Sequence, residues 1–142
     1  MTPDLIALRQ SWRSAKEDLL AERNPTGNPQ PLLESLAKHA DRVLIQVWKS
    51  LGMPSSMALL AVGGYGRREL FPYSDIDVLI LIKSEPTQLQ RTQIEQFIGI
   101  FWDIGMELAH SVRTIEQCIA EASKDVTIQT ALIERRYLTG SR

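Results

Sequence analysis

Asp75 and Asp77 are the residues in this sequence whose type and spacing most strongly suggest chemistry. They stand at the start of an apolar run that ends at Ile82, and such a run predicts a central strand. Because alternate side chains of a strand share a face, both carboxylates should point the same way, with their Cα atoms about 6.5 Å apart. Two acids so placed repel each other and are costly to desolvate. A divalent cation would relieve both effects, and magnesium commonly binds one or two carboxylates together with phosphate oxygens.

Sites of this kind usually include a third carboxylate. Glu107 is one candidate, since it lies on the next predicted strand, and Asp103, one turn before it, is the other. Strand geometry favours Glu107, so the predicted metal ligands are Asp75, Asp77 and Glu107, with Asp103 as the alternative catalytic acid. Magnesium is the expected ion, and manganese is the alternative.

The loop that precedes the two aspartates is rich in glycine and arginine. Gly63 and Gly64 follow an apolar run, and without Cβ atoms they allow their backbone amides to approach and bind phosphate oxygens. Arg67 and Arg68 carry forked donors that suit phosphate, although either could be an ordinary surface arginine. Ser74 would cap the loop or contact phosphate, and the cap is the preferred interpretation. The loop is neither a dinucleotide-binding fingerprint nor a P-loop.

The apolar spacing predicts the elements that must position these residues. Two helices come first, the first starting at Thr2-Pro3, and they are separated by a loop over residues 24–31. Strands are then expected over 57–62, 76–82 and 106–112, with a loop over 63–74 and a helix over 87–104. Thr114 and Asp125 should begin two further helices, the last running towards Tyr137 and ending near Gly140. The fold class is therefore α+β, with a small mixed sheet flanked by helices, a leading helical segment over residues 1–55 and a core over 56–142.

The composition limits the class of protein. Sixteen basic and seventeen acidic side chains give a net charge of −1, whereas nucleic-acid-binding domains are normally strongly basic. A single cysteine, Cys118, excludes an internal disulfide and fits a reducing compartment. The first residues do not resemble a signal peptide, and no apolar run reaches the roughly 18 residues of a membrane span. A cytoplasmic protein that binds neither nucleic acid nor membrane is expected.

The chemistry-bearing segment also resembles a known family. Residues 63–81, GGYGRRELFPYSDIDVLIL, contain the Gly-Gly and Asp-x-Asp pattern of the DNA polymerase β nucleotidyltransferase superfamily. The whole string, together with WDIGMELAHSVRT at 102–114, is similar to the amino-terminal domain of bacterial PII uridylyltransferases. The resemblance covers roughly residues 60–140 and, more weakly, the two leading helices. Members of that family commonly carry glycine at the positions of Arg68 and Ala109, which ranks Arg67 above Arg68, and some lack an acid at the position of Glu107.

The resemblance implies transfer of UMP from UTP to a tyrosine hydroxyl of the PII nitrogen-regulatory protein, with release of pyrophosphate. It implies that Asp75 and Asp77 bind two metal ions, that the third carboxylate binds one of them, and that Gly63, Gly64 and Arg67 bind the β and γ phosphates. Full-length members also carry an HD phosphohydrolase domain and ACT domains, so this chain would be a fragment of a longer enzyme. Three alternatives stay open: adenylyl transfer to a protein, nucleotidyl transfer to a small molecule, and a nucleotide-binding regulatory module without turnover.

Overall fold

A computed structural model describes residues 4–21, 30–71 and 74–141, without the side chains of residues 128 and 131–133. Its elements follow in the order α1 (Leu5–Ala21), α2 (Gln30–Ser50), β1 (Ala58–Ala61), α3 (Gly63–Gly66), β2 (Ile76–Ile82), α4 (Gln88–Ile104), β3 (Leu108–Thr114), α5 (Ile115–Ala122), α6 (Val126–Ile133) and β4 (Arg136–Gly140). This order agrees with the predicted α+β class.

The strands form one mixed sheet in the order β3-β2-β1-β4. Strand β1 pairs antiparallel with both β2 and β4. Strand β2 pairs parallel with β3, and helix α4 makes the crossover between them, because parallel neighbours cannot be joined by a tight turn. The predicted mixed sheet is therefore confirmed.

Helix α4 shows how local sequence sets these boundaries. Thr87 caps its first turn, because the Thr87 side chain accepts from the Gln90 backbone N–H while the Gln90 side chain accepts from the Thr87 N–H. Gly105 ends the helix in the left-handed conformation, with φ +90°, which costs glycine little. The prediction of a helix over 87–104 is confirmed. Thr114 makes the same capping box at the start of α5, and Asp125 accepts from the Thr127 N–H at the start of α6.

The main core lies between the sheet and helices α1, α2 and α4. Alternate residues of β2 point into it, and they are Ile76, Val78, Ile80 and Ile82. Leu8 and Trp12 bring α1 into the same core, as the helical spacing predicted. A smaller cluster of Leu60, Leu79 and Cys118 lies on the opposite face of the sheet.

The predicted end of the chain is wrong. The last helix ends at Ile133, and residues 136–140 form β4 instead of continuing that helix. Tyr137 and Thr139 favour extended backbone, and pairing with β1 gives that strand a second hydrogen-bonded neighbour. Without β4, strand β1 would present unpaired backbone groups at the edge of the sheet.

Three smaller expectations concern the start of the first helix and two loops. The proposed start at Thr2-Pro3 and most of the predicted loop over 24–31 lie outside the described residues. The last two residues of that loop, Gln30 and Pro31, belong to the first turn of α2. The predicted loop after β1 begins with the short helix α3.

Candidate active site

The glycine turn lies directly against one of the two aspartates. Strand β1 ends at Ala61, and α3 follows after the extended residue Val62. Gly63 has φ +60°, and a Cβ atom at that position would lie only 2.8 Å from Oδ2 of Asp77. Glycine is required here both for the left-handed backbone and for the close approach. The turn predicted to bind phosphate is thus next to an acid predicted to bind metal.

The two aspartates are placed differently at the start of β2. Asp75 is exposed and immediately precedes the strand, whereas Asp77 is its second residue and is half-buried. Burial raises the pKa of Asp77, and the negative charge of Asp75 raises it further. The Val62 N–H donates to the Asp77 carbonyl over 3.1 Å, which joins β2 to the glycine turn. A cation between the carboxylates would offset both causes of the pKa shift.

Glu107 lies at the same end of the sheet as the aspartates, where strands β2 and β3 begin. The Ile76 N–H donates to the Glu107 carbonyl over 2.9 Å, and the register then pairs Ile76 with Leu108 and Asp77 with Ala109. Paired residues of neighbouring strands point to the same face. Ala109 therefore lies beside Asp77 on that face, and the Glu107 side chain, just before the strand, is exposed.

Asp103 is placed with α1. Asp103 lines an open groove with residues of that helix, which include Leu5 and Ile6, and its carbonyl accepts from Nε of Arg9 over 2.8 Å. Within the described part of the chain, no three His, Cys, Asp or Glu side chains are gathered as a metal-binding group. The structure thus places the glycine turn against Asp77 of the Asp75–Asp77 pair, and among the described residues it gathers no third acid with them.

The two arginines of the loop differ in their contacts. Arg67 forms ion pairs with Glu69, Nε to Oε2 at 3.3 Å, and with Glu134, Nη1 to Oε2 at 2.6 Å. Arg68 is exposed and forms no ion pair with any residue that the structure describes. Its backbone has φ +62°, an uncommon conformation for a residue with a side chain.

Ser74 closes the loop before the aspartates. Its hydroxyl accepts from the Phe71 N–H over 3.1 Å and donates to the Phe71 carbonyl over 2.9 Å.

Gly64 lies one residue into the turn, where an added Cβ would be in ordinary contact with the Glu69 carbonyl. Gly63 therefore has the stricter requirement for glycine.

Sequence reasoning missed a group of polar residues behind the glycine turn. Asp41 of α2, Tyr65 of α3 and Arg136 of β4 are joined by hydrogen bonds. A signal did exist for Asp41, since this acid stands one turn from Ala37 and Leu44 on the apolar stripe of α2. No signal marked Arg136, because its segment was predicted to be helical.

Comparison with known proteins decides the family. Residues 43–138 match the family described as "Nucleotidyltransferase domain". The chain belongs to that family. The predicted nucleotidyltransferase domain and its family resemblance are therefore confirmed.

Among the described residues, none of the helices combines the length and the apolar character that a membrane span requires.

The similar proteins carry a more specific name. The chain is 46% identical to a "Bifunctional uridylyltransferase/uridylyl-removing enzyme" of Cupriavidus pinatubonensis, over 99% of this chain and 17% of that protein. It is 44% identical to the protein of the same name from Burkholderia lata, over 99% of this chain and 16% of that protein. The corresponding figures for Cupriavidus metallidurans are 42%, 99% and 17%. The chain thus spans about one sixth of the length of these relatives.

Proposed function

We propose that this chain is the nucleotidyltransferase part of an enzyme that transfers UMP from UTP to a tyrosine hydroxyl of PII and releases pyrophosphate. The observation that carries the chemistry is the Asp75–Asp77 pair, with the backbone of Gly63 against the half-buried carboxylate. The choice of uridylyl rather than adenylyl transfer rests on the names of the relatives. The PII acceptor rests on the family resemblance of the sequence.

Asp75 and Asp77 are the proposed ligands of magnesium, with manganese as the alternative. The raised pKa of Asp77 fits a site in which two carboxylates share a cation. Divalent ions at such a site polarise phosphoryl oxygens and stabilise the charge that develops on the attacking and leaving oxygens. Glu107 is the preferred third carboxylate, because it precedes the strand that pairs with β2, whereas Asp103 lies beside α1.

The glycine turn and the arginines would bind the phosphates. The amides of Gly63 and Gly64 stand at the start of a helical turn, where backbone N–H groups have no intrahelical partner. Such amides stabilise a departing pyrophosphate when they are already oriented towards it. Arg67 is paired with Glu69 and Glu134, so part of its charge is already offset, whereas Arg68 is exposed and forms no ion pair with a described residue.

The protein acceptor and the removal reaction would need more than this domain. Relatives about six times longer leave room for other domains. We propose that these include the HD and ACT domains implied by the resemblance, and that the complete protein is cytoplasmic. The HD domain would remove the uridylyl group that the present domain adds.

Transfer of radiolabel to purified PII tests this proposal. The full-length enzyme that contains this domain is incubated with magnesium and α-labelled UTP or ATP, and wild type is compared with Asp75→Asn/Asp77→Asn. Loss of several kcal/mol of transition-state stabilisation would lower UTP-dependent labelling on the order of 1000-fold. Asp18→Asn, on the exposed surface of α1, is the matched control and should label as wild type does.

The other results separate the alternatives. Labelling from ATP in preference to UTP would replace uridylyl with adenylyl transfer. Magnesium-dependent nucleotide binding without transfer to PII would favour either another acceptor or a regulatory module. Lack of magnesium-dependent nucleotide binding by the wild-type protein would overturn the assignment of Asp75 and Asp77.

A further inference from the structure

The glycine turn is joined to the helical layer through a half-buried ion pair. Arg136 of β4 forms two hydrogen bonds with Asp41 of α2, Nη1 to Oδ2 at 2.7 Å and Nη2 to Oδ1 at 3.2 Å. The two side chains are only 15% and 20% exposed. Paired, charge-assisted hydrogen bonds of this kind fix geometry better than a single exposed ion pair.

Arg136 also binds the backbone of the turn itself. Its Nη2 donates to the Tyr65 carbonyl over 3.1 Å, and its Nε donates to the Gly66 carbonyl over 3.3 Å. These carbonyls end α3, where cations bind favourably. One guanidinium group therefore holds two successive peptide units of the turn while it is itself held by Asp41.

Tyr65 closes the network from the turn side. Its hydroxyl donates to Oδ1 of Asp41 over 2.6 Å, and the guanidinium carbon of Arg136 lies 5.3 Å from the centre of its ring. Burial raises the pKa of Tyr65 well above its ordinary value, and the charge of Asp41 raises it further, so the hydroxyl remains a donor. Gly66 fits between β1 and the chain before β4, because a Cβ there would collide with the Glu134 carbonyl.

We infer that Asp41, Tyr65 and Arg136 are positioning residues for the triphosphate. The inference rests on the proposed function and deepens it. None of the three acts on the nucleotide directly. Together they fix the orientation of the turn whose first residue lies against Asp77, so that the amides of Gly63 and Gly64 meet the β and γ phosphates without reorganisation. Preorganised donors bind developing charge more strongly than donors that must first be ordered.

Nucleotide affinity of the 142-residue chain tests the inference. Magnesium-UTP is titrated against wild type, Arg136→Lys and Asp41→Asn, and UMP is measured by competition. Lysine keeps the charge of Arg136 but cannot reproduce its forked contacts. Since the turn is expected to bind the β and γ phosphates, affinity for UTP should fall on the order of tenfold, or about 1.4 kcal/mol, while affinity for UMP stays within a factor of about two.

Two further variants make the test selective. Glu121→Gln breaks a more exposed ion pair, that of Glu121 with Arg113 near the carboxyl end of β3, and should leave UTP affinity unchanged. Tyr65→Phe removes a single hydrogen bond to Asp41 and provides a milder test if the charged variants do not fold. It should weaken UTP binding by roughly threefold, a smaller loss than for Arg136→Lys.

The possible outcomes distinguish the inference from the function on which it rests. Folded variants that bind UTP as tightly as wild type, or that lose UTP and UMP affinity equally, would overturn the positioning role and leave the proposed function standing. A wild-type chain that binds neither nucleotide with magnesium would overturn both. A loss of affinity for UTP but not for UMP would support the inference. In the double variant, the losses of UTP affinity caused by Asp41→Asn and Arg136→Lys should be less than additive, because the two residues act through one ion pair.

Discussion

The two faces of β2 have opposite properties although their residues alternate along one seven-residue strand. On one face, Ile76, Val78, Ile80 and Ile82 are buried against the helices. On the other, Asp77 is half-buried beside the glycine turn, and Leu79 belongs to the small cluster with Cys118. The first face excludes water throughout its length, whereas the second carries charge at one end.

This difference suggests a division of labour within the strand. Buried aliphatic side chains stabilise the folded state in proportion to the apolar area they remove from water. An ionised carboxylate beside another acid does the reverse unless a cation is bound. We call the face of Ile76, Val78, Ile80 and Ile82 the helical face and the opposite face, which carries Asp77, the open face. Substitutions on the helical face should therefore change folding stability, whereas substitution of Asp77 on the open face should change the response to ligands.

The largest effect on stability is expected from Ile80→Ala. Ile80 is fully buried in the main core, and replacing such a side chain with alanine costs about 2–5 kcal/mol. The free energy of unfolding is measured by urea denaturation. The neighbouring Leu81→Ala, on the open face and half-buried, is the matched comparison and should cost less. Equal losses for the two variants would contradict the division between the faces.

A smaller effect, opposite in sign, is expected from Asp77→Asn in the metal-free protein. Because the folded-state pKa of Asp77 is raised, the folded state binds a proton at this site more tightly than the unfolded chain does. Ionised Asp77 therefore costs stability at pH values above its folded pKa, and the cost disappears below the ordinary aspartate pKa. The variant should be more stable than wild type at neutral pH, and this advantage should vanish on acidification.

Magnesium should reverse that ranking. A ligand that binds only the folded state stabilises it, so wild type should gain unfolding free energy with added magnesium while Asp77→Asn should not. Thermal or urea unfolding with and without the ion measures both effects. In the metal-free protein, a stability advantage of Asp77→Asn over wild type that grows as the pH falls would show that burial and the charge of Asp75 do not raise the pKa of Asp77.

The elements that local sequence specifies could be predicted. The apolar run of β2 predicted its bounds, and Thr87 and Gly105 marked the two ends of α4, since capping and left-handed termination depend on neighbouring residues. The alternation of Asp77 with the buried residues of β2 followed from strand periodicity. These features depend on spacing of only a few residues.

The features that depend on distant partners could not be predicted. Strand β4 forms because β1 offers an edge, whereas local spacing alone predicts a helix there. The pairing of Asp41 with Arg136 joins residues 95 positions apart. The left-handed backbone of Arg68 stands just after the end of α3, where its N–H donates to the Tyr65 carbonyl, and residue type alone did not indicate it.

The smallest expected effect comes from Arg68→Gly. A side chain in the left-handed region costs about 1–2 kcal/mol relative to glycine. Replacing Arg68 with glycine removes this cost, but the greater freedom of glycine in the unfolded chain offsets part of the gain in stability. We therefore expect a net stabilisation of about 0.5–1 kcal/mol, measured by urea unfolding. Members of the family that the sequence resembles commonly carry glycine at this position, and a left-handed backbone there would explain that preference.

Arg67→Gly is the control for this prediction. Arg67 has φ −80°, so glycine relieves no strain there, and its ion pairs with Glu69 and Glu134 are lost. This variant should be less stable than wild type. If Arg68→Gly proves more stable but binds magnesium-UTP more weakly, the strain at Arg68 is retained because its guanidinium contacts the nucleotide. A loss of stability in Arg68→Gly would show instead that the arginine makes a structural contact that outweighs its strained backbone.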